Sequence, residues 1–382
     1  MREEFLPLAK PHITEEEEKQ VLEVIRSGWW TTGTKTRQFE KDLASYLSHE
    51  DPVHCLAVDS CTSALHLALL ALGIGPGDEV IVPTWTFVAT AHVVEWVGAK
   101  LVLCDIEEDS LNMDVDDAER RVTDKTKAII PVHMAGFPCN IDEIRKLAQK
   151  YRLKVIEDAA HAIGTKYHGV KIGNFADVTC FSFYATKNLA MGEGGAAVSQ
   201  NPEIIEKMRK LAYFGINTDA FKRYEKSGSW HYDIEEQGFK CNLSDLHAAL
   251  GLAKLKKLDW MNDRRREIAK RYKEKLNRKV QFTQDSMEHY HSYHLFPVLL
   301  PDGIKRNDFM SELKRRNIGS SVHFIPLHLH SYYEKRFDKE QFPVANRIHE
   351  KVVSIPMFPS MTDDDVDYVI YHINRLESFK SL

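Results

Sequence analysis

KAIIPVHMAGFPCNIDEIRKLAQKYRLKVIED, residues 127–158, holds two short apolar runs, KAIIPVH (127–133) and LKVIED (153–158), on either side of the amphipathic IDEIRKLAQKYR (141–152). Runs of that length read as buried strands, and the segment between them reads as a helix with one apolar face. The same alternation continues in both directions. Upstream lie the helix-like SALHLALLALG (63–73), ended by Gly73, the strand EVIVP (79–83), stopped by Pro83, the helix-like ATAHVVEWVG (89–98) and the strand KLVLCD (100–105). Downstream come DVTCFSF (177–183) and GAAVS (195–199). Short strands alternating with helices of this kind predict an α/β fold with a mostly parallel sheet covered on both faces. Such sheets bind ligands outside the carboxyl ends of their strands.

The last third changes character. A charged helix, LDWMNDRRREIAKRYKEKL (258–276), precedes HLFPVLLP (294–301), DFMSELKRRN (308–317), GSSVHF (319–324) and a final helix opening at Thr362. The expected division is a large α/β domain over 1–255 and a smaller α+β C-terminal domain over 256–382.

Bulk composition narrows the function. Of 382 residues, 43% are hydrophobic and 28% charged, ordinary for a globular chain, and the net charge of −5 offers no basic nucleic-acid footprint. No apolar run approaches the roughly 18–20 residues of a membrane span. The acidic start, MREEFLPLAKPHITEEEEKQ, lacks the apolar core of a signal peptide. Six scattered cysteines without a C-x-x-C pair fit a reduced, cytoplasmic enzyme.

The chemistry centres on SFYATKNLAMGEGG (182–195), where Lys187 follows a core strand and precedes a glycine run. A nucleotide P-loop needs its glycines before the lysine, so that motif is excluded, as is a dinucleotide G-x-G-x-x-G. HYHSYH (289–294) matches no zinc spacing and reads as a polar approach to a strand, so no metal is called for. Asp158 closes the strand LKVIED, and His161 follows it. Asp158 alone is equally well read as a helix N-cap. Ser60, Thr62 and Ser63 precede a helix whose free N–H groups suit an anion, and Ser182 adds a hydroxyl near the lysine. PTWTFVAT (83–90) supplies aromatics. Pyridoxal 5'-phosphate needs an amine, a carboxylate at its ring nitrogen, a phosphate pocket and a flat neighbour, which is this set.

With those residues in view, the chain resembles the DegT/StrS-type nucleotide-sugar aminotransferases of the fold-type I (aspartate aminotransferase-like) pyridoxal phosphate enzymes. The resemblance runs from SGWWTTGTKTRQFE (27–40) through CTSALHLAL, IVPTWTFVAT, IIPVHMAG, VIEDAAHAIG and CFSFYATKNLAMGEGG. It continues in GFKCNLSDLHAALG (238–251), VHFIPLH (322–328) and MFPSMT (357–362). In EDAAHAIGT, NLSDLHAA and DRRREIAKRY it is most similar to the UDP-4-amino-4-deoxy-L-arabinose–oxoglutarate aminotransferases.

The resemblance implies roles for single residues. Lys187 is then the catalytic lysine that holds the cofactor's aldehyde, and Asp158 the acid at its ring nitrogen. His161 lies beside the phenolic oxygen, Phe87 rather than Trp85 stacks on the ring, and Thr62, Ser63 and Ser182 bind the phosphate. Many members carry G-Y-N-x-R, whose asparagine reaches the phosphate of the neighbouring subunit's cofactor. This chain has GFKCN, so Lys240 replaces that asparagine and Asn242 the arginine, and either of the two can make the phosphate contact. The arginine's loss leaves the amino donor's carboxylate without its partner. His323 and His328 are candidate sugar or diphosphate contacts, with a plain strand-closing role as the alternative. The implied reaction moves an amino group from L-glutamate, leaving 2-oxoglutarate, to a nucleotide-linked keto-sugar in a homodimer with shared sites. A sugar dehydratase of this fold replaces the lysine by histidine, which Lys187 opposes. A non-catalytic regulatory relative would have lost the cofactor contacts, and a nicotinamide oxidoreductase would need the missing fingerprint.

Overall fold

The computed structural model of the protein describes residues 3–216 and 231–376. The strands in chain order are β1 (His54–Val58), β2 (Glu79–Pro83), β3 (Lys100–Cys104), β4 (Thr126–Ile129), β5 (Lys154–Asp158), β6 (Lys166–Tyr167), β7 (Val170–Lys171), β8 (Val178–Ser182) and β9 (Gly195–Ser199), then β10 (Gln281–Phe282), β11 (Phe296–Leu299) and β12 (Val352–Ile355). A seven-stranded sheet has the order β1-β9-β8-β5-β4-β2-β3. The run from β3 through β2, β4 and β5 to β8 is parallel throughout, and only β9 runs against its two neighbours. This is the mostly parallel sheet the sequence pattern predicts, with β1 as an addition. HCLAV follows the helix Thr34–Leu47, and its place in the sheet comes from pairing with β9, far along the chain.

Local chemistry sets the element ends. Pro131 lacks an N–H, and β4 stops at Ile129 instead of running to His133. Asn140 caps the helix Ile141–Tyr151 by accepting from Glu143 N, and Arg152 ends it in a left-handed turn at φ 55. Thr362 opens the last helix, Asp363–Ile373, with a reciprocal capping box to Asp365.

The glycine run has a packing reason. A Cβ on Gly195 would stand 2.4 Å from the Ser60 carbonyl carbon and 2.5 Å from Cys61 N. Only a bare backbone lets β9 begin against the start of the helix Cys61–Ala71.

Helices on both faces bury three hydrophobic clusters around the large sheet. A further core forms around the antiparallel sheet β10-β11-β12 and includes Phe309, Val353, Val366 and Ile370. The helix Leu258–Lys275 serves both: Leu258 and Met261 pack with the large sheet, and Ile268, Ala269 and Tyr272 pack with the small one. The change of core therefore falls inside a helix rather than in a linker. Leu6, from the N-terminal arm, also packs in the small core and pairs with Ile318. The outer ends of both expected domains, and 217–230, lie outside the described residues.

Among the described residues no helix is long and apolar enough to cross a membrane. All six cysteines are buried and unpaired.

Candidate active site

The carboxyl ends of β1, β2, β5 and β8 open onto one cavity of about 520 Å³. Its walls include Ser60, Cys61 and Thr62 after β1, Thr86 and Phe87 after β2, and Asp158 and His161 from β5. Ser182 and Lys187 come from β8 and its loop, and His294, His323 and Phe324 from the small unit.

Lys187 sits in the turn after β8, its N–H bonded to Tyr184 O at 2.9 Å. Its Nζ has no hydrogen-bond or ion partner among the described residues. Burial lowers its pKa to about 8, with Asp158 acting in the opposite direction. A lysine held dry and unpartnered keeps a reactive neutral fraction near pH 7.

Asp158 is buried on the same cavity wall. Its Oδ2 accepts from Thr90 Oγ1 at 2.8 Å and its Oδ1 from Ala160 N at 3.1 Å. Thr86 Oγ1 lies 2.8 Å from Thr90 Oγ1, so Thr86 donates to Thr90, which donates to the acid. These donors define the carboxyl as an acceptor. Burial nevertheless pushes its pKa up. The group is set for a cationic partner inside the cavity, and a protonated pyridine nitrogen meets that need. Sequence reasoning missed Thr90. It stands in the first turn of the helix Ala89–Trp96, and only the fold shows that Asp158 lies beside it.

At the start of the helix Cys61–Ala71, Ser60 accepts from Ser63 N at 3.1 Å, and its hydroxyl also meets Ser63 Oγ at 3.0 Å. Thr62 and Ser60 line the cavity directly, whereas Ser63 faces an adjoining surface groove. With Ser182, this helix end provides hydroxyls and a positive dipole end for a phosphate. Phe87 is 59% exposed, rims the cavity and packs against Phe324 at 6.0 Å. Trp85 is fully buried, with Nε1 on His323 O. The flat face open to a ring is thus that of Phe87.

His161 accepts at Nδ1 from Ala135 N at 3.3 Å and turns its other nitrogen away from that support. Burial and the charge of Lys187 lower its pKa well below the usual value. His323 lines the cavity and meets Ser354 Oγ at 3.0 Å; burial, then Lys187, lowers its pKa to about 4.

The structure separates His328 from this group. Its Nδ1 meets Thr84 Oγ1 at 2.7 Å, its Nε2 meets Asn346 Oδ1 at 2.9 Å, and its ring stacks on Phe342 at 4.4 Å. Both nitrogens are engaged inside the protein, so the expected sugar contact gives way to a core role. Lys240 and Asn242 also lie outside the cavity. Lys240 Nζ donates to Asn242 Oδ1 and sits 4.5 Å over the Tyr213 ring, and Asn242 Nδ2 donates to Thr32 Oγ1 at 2.6 Å. Lys240 lines the surface groove it shares with Asp59 and Ser63.

HYHSYH divides among three settings. His289 is at the surface within 4.8 Å of donors on His168 and Glu288, His291 stacks on Tyr293 at 3.7 Å, and His294 enters the cavity.

A lysine, a strand-end acid and a hydroxyl-lined helix start around one cavity are the equipment of a fold-type I pyridoxal phosphate enzyme. The DegT/DnrJ/EryC1/StrS aminotransferase family profile matches residues 11–374, and the chain belongs to that family. The spore coat polysaccharide biosynthesis protein SpsC of Bacillus subtilis is 45% identical over 379 residues, covering 97% of this chain and 96% of SpsC. Spr1654 of Streptococcus pneumoniae, assigned as a sugar aminotransferase and solved in its PMP form, superposes with a TM-score of 0.92 at 35% identity, covering 99% and 100% of the two chains. Helicobacter pylori PseC, an aminotransferase in pseudoaminic acid biosynthesis, superposes at 0.90 with 28% identity, covering 99% and 100%. The protein is an enzyme of the sugar aminotransferase family, and its cofactor is pyridoxal phosphate.

The lowered pKa of Lys187 leads to a pH prediction. Only the neutral amine attacks an aldehyde, so cofactor uptake by the apoprotein accelerates about tenfold per pH unit below 8 and levels off above it. Stopped-flow absorbance across pH 6–10 measures this. A rate still climbing at pH 10 would show an ordinary lysine.

Proposed function

We propose that the enzyme transfers an amino group from L-glutamate to the carbonyl of a nucleotide-linked keto-sugar, such as a UDP-4-keto sugar, for amino-sugar and surface-glycan synthesis in the cytoplasm. The observation that carries this reading is the unpartnered Lys187 amine facing the same cavity as Asp158. The sugar-linked roles printed for SpsC and PseC support the choice of acceptor.

Bound pyridoxal phosphate supplies an aldehyde that carries the amino group and a ring that draws electrons from the donor's Cα. Lys187 anchors that aldehyde. With the cofactor bound, the Lys187 Nζ would be the group that moves the proton between the donor Cα and the aldehyde carbon, and it would serve the same role in reverse for the keto-sugar. Asp158 keeps the proton on the ring nitrogen. Thr62 and Ser182 would hold the phosphate, without the expected Ser63, which faces the neighbouring groove; Phe87 would cover the ring, and His161 would donate to the phenolic oxygen. His323 meets the sugar.

The test loads the protein with pyridoxamine phosphate and adds a panel of nucleotide keto-sugars, differing in base and in carbonyl position, beside simple 2-oxo acids. Loss of the pyridoxamine absorbance with one of the sugars, at a rate well above that with any 2-oxo acid other than 2-oxoglutarate, is the expected result. Consumption by 2-oxo acids alone would overturn the reading.

We also propose a homodimer in which Lys240 and Asn242 reach the partner's phosphate. Their position outside their own chain's cavity supports this, because a two-fold axis places each contact in the other site. A mixture of Lys187→Ala and an impaired Lys240→Ala variant, after subunit exchange, should regain up to about a quarter of wild-type activity, since a hybrid has one intact site. Confirmed exchange with no activity would exclude sharing.

A further inference from the structure

His294 belongs to none of the roles above. It lines the cavity at 5% exposure, and its ring lies 4.4 Å from that of His161. Its backbone position is specified: Tyr293 adopts φ 45, a left-handed turn that sends residue 293 onto His291 while residue 294 faces the cavity.

The hydrogen on its ring can be placed by following the bonds behind it. Asn188, the residue after Lys187, donates from Nδ2 to the Ser292 carbonyl at 2.9 Å and to Asn262 Oδ1 at 2.8 Å. A carbonyl only accepts, so the Asn188 amide has one orientation, with Oδ1 toward His294 Nδ1 at 3.2 Å. Asn262 is oriented the same way, since its Nδ2 donates to Ile163 O at 3.0 Å. His294 Nδ1 must then carry the hydrogen. Burial and the charge of Lys187 lower its pKa well below the usual value, so the ring is neutral. Nε2 is left with a lone pair and no hydrogen-bond partner among the described residues. His161 is the opposite tautomer, accepting at Nδ1 and donating from Nε2.

We infer that His294 is a substrate-recognition residue whose Nε2 accepts a hydrogen bond from a sugar hydroxyl next to the reacting carbonyl. This rests on the keto-sugar reading above. The hydroxyl is singled out because His294 and Lys187 line the same cavity and the His294 ring is held by Asn188, the residue next to Lys187. A buried acceptor that loses its donor is left unsatisfied, which discriminates against deoxy analogues.

The test compares the accepted keto-sugar with analogues deoxygenated at each position beside the carbonyl. Wild type should favour the hydroxylated sugar at one position by about 10–100-fold in kcat/KM. In His294→Asn, whose side-chain amide can still donate to Asn188, that preference should fall toward one. In His294→Gln, whose amide oxygen can reach the Nε2 position, part of it should return. Nitrogen-15 shifts of the histidines should show His294 neutral with its hydrogen on Nδ1. A hydrogen on Nε2, or an Asn variant that keeps the wild-type preference, overturns the inference. So does an Asn variant that alters the cofactor's absorbance while leaving the preference intact, because His294 would then face the cofactor. A wild type that aminates no keto-sugar strikes the functional reading itself and is distinct from these results.

Discussion

Lys187→Ala loses amination by at least about 10⁴-fold while keeping its fold. Two functions disappear together in this variant, the covalent anchor and the base that moves the Cα proton. The fold survives because the amine has no partner to forfeit, and removing an amine held away from water relieves an unfavourable desolvation. Thermal unfolding should match wild type within a few degrees, and borohydride should no longer fix a pyridoxyl group on the peptide containing residue 187. Added methylamine should restore part of the proton-transfer rate, since a small amine can enter the space that the side chain leaves. Turnover within tenfold of wild type, or a borohydride adduct on another lysine of the native protein, would remove Lys187 from its role.

Asp158→Asn should bind the cofactor but lower kcat by about 10²–10³-fold. The amide has the carboxylate's shape without its charge, so it cannot keep the ring nitrogen protonated. It also fits its supports badly. Thr90 Oγ1 and Ala160 N both donate to Asp158, whereas an asparagine offers only one accepting atom. One donor therefore meets an N–H₂ group, and a modest loss of cofactor affinity accompanies the larger loss in rate. Absorbance should show the bound cofactor with its ring nitrogen unprotonated. Near-normal turnover would return Asp158 to a helix-capping role.

Both predictions concern residues legible before any coordinates, and the reason is geometric. In a parallel sheet every strand points its carboxyl end to the same edge, so an acid closing LKVIED and a lysine just beyond VTCFSF are brought together by topology alone. The hydroxyls of Ser60, Thr62 and Ser63 were legible in the same way, because a helix that follows a strand starts at that edge. Alternating period and the Pro83, Gly73 and Thr362 boundaries are local signals, and local signals survive in the sequence.

The rest depended on which distant residues meet. Thr90 holds Asp158 across 68 positions and Asn188 orients His294 across 106, distances at which no periodicity speaks. His323 and His328 look alike in VHFIPLH, yet one faces the cavity and the other stacks on Phe342 with both nitrogens bonded. The helix Leu258–Lys275 reads as one amphipathic element, and only packing shows its first turns in one core and its later turns in another. By itself the sequence determined the sheet, the family and the reactive pair, because each follows from neighbours along the chain. The tertiary structure decided which hydroxyl supports the acid and which histidine turns an open nitrogen to the substrate. Those follow from hydrogen bonds whose partners are chosen by folding, where a buried polar atom takes whichever complementary group the packing brings within reach.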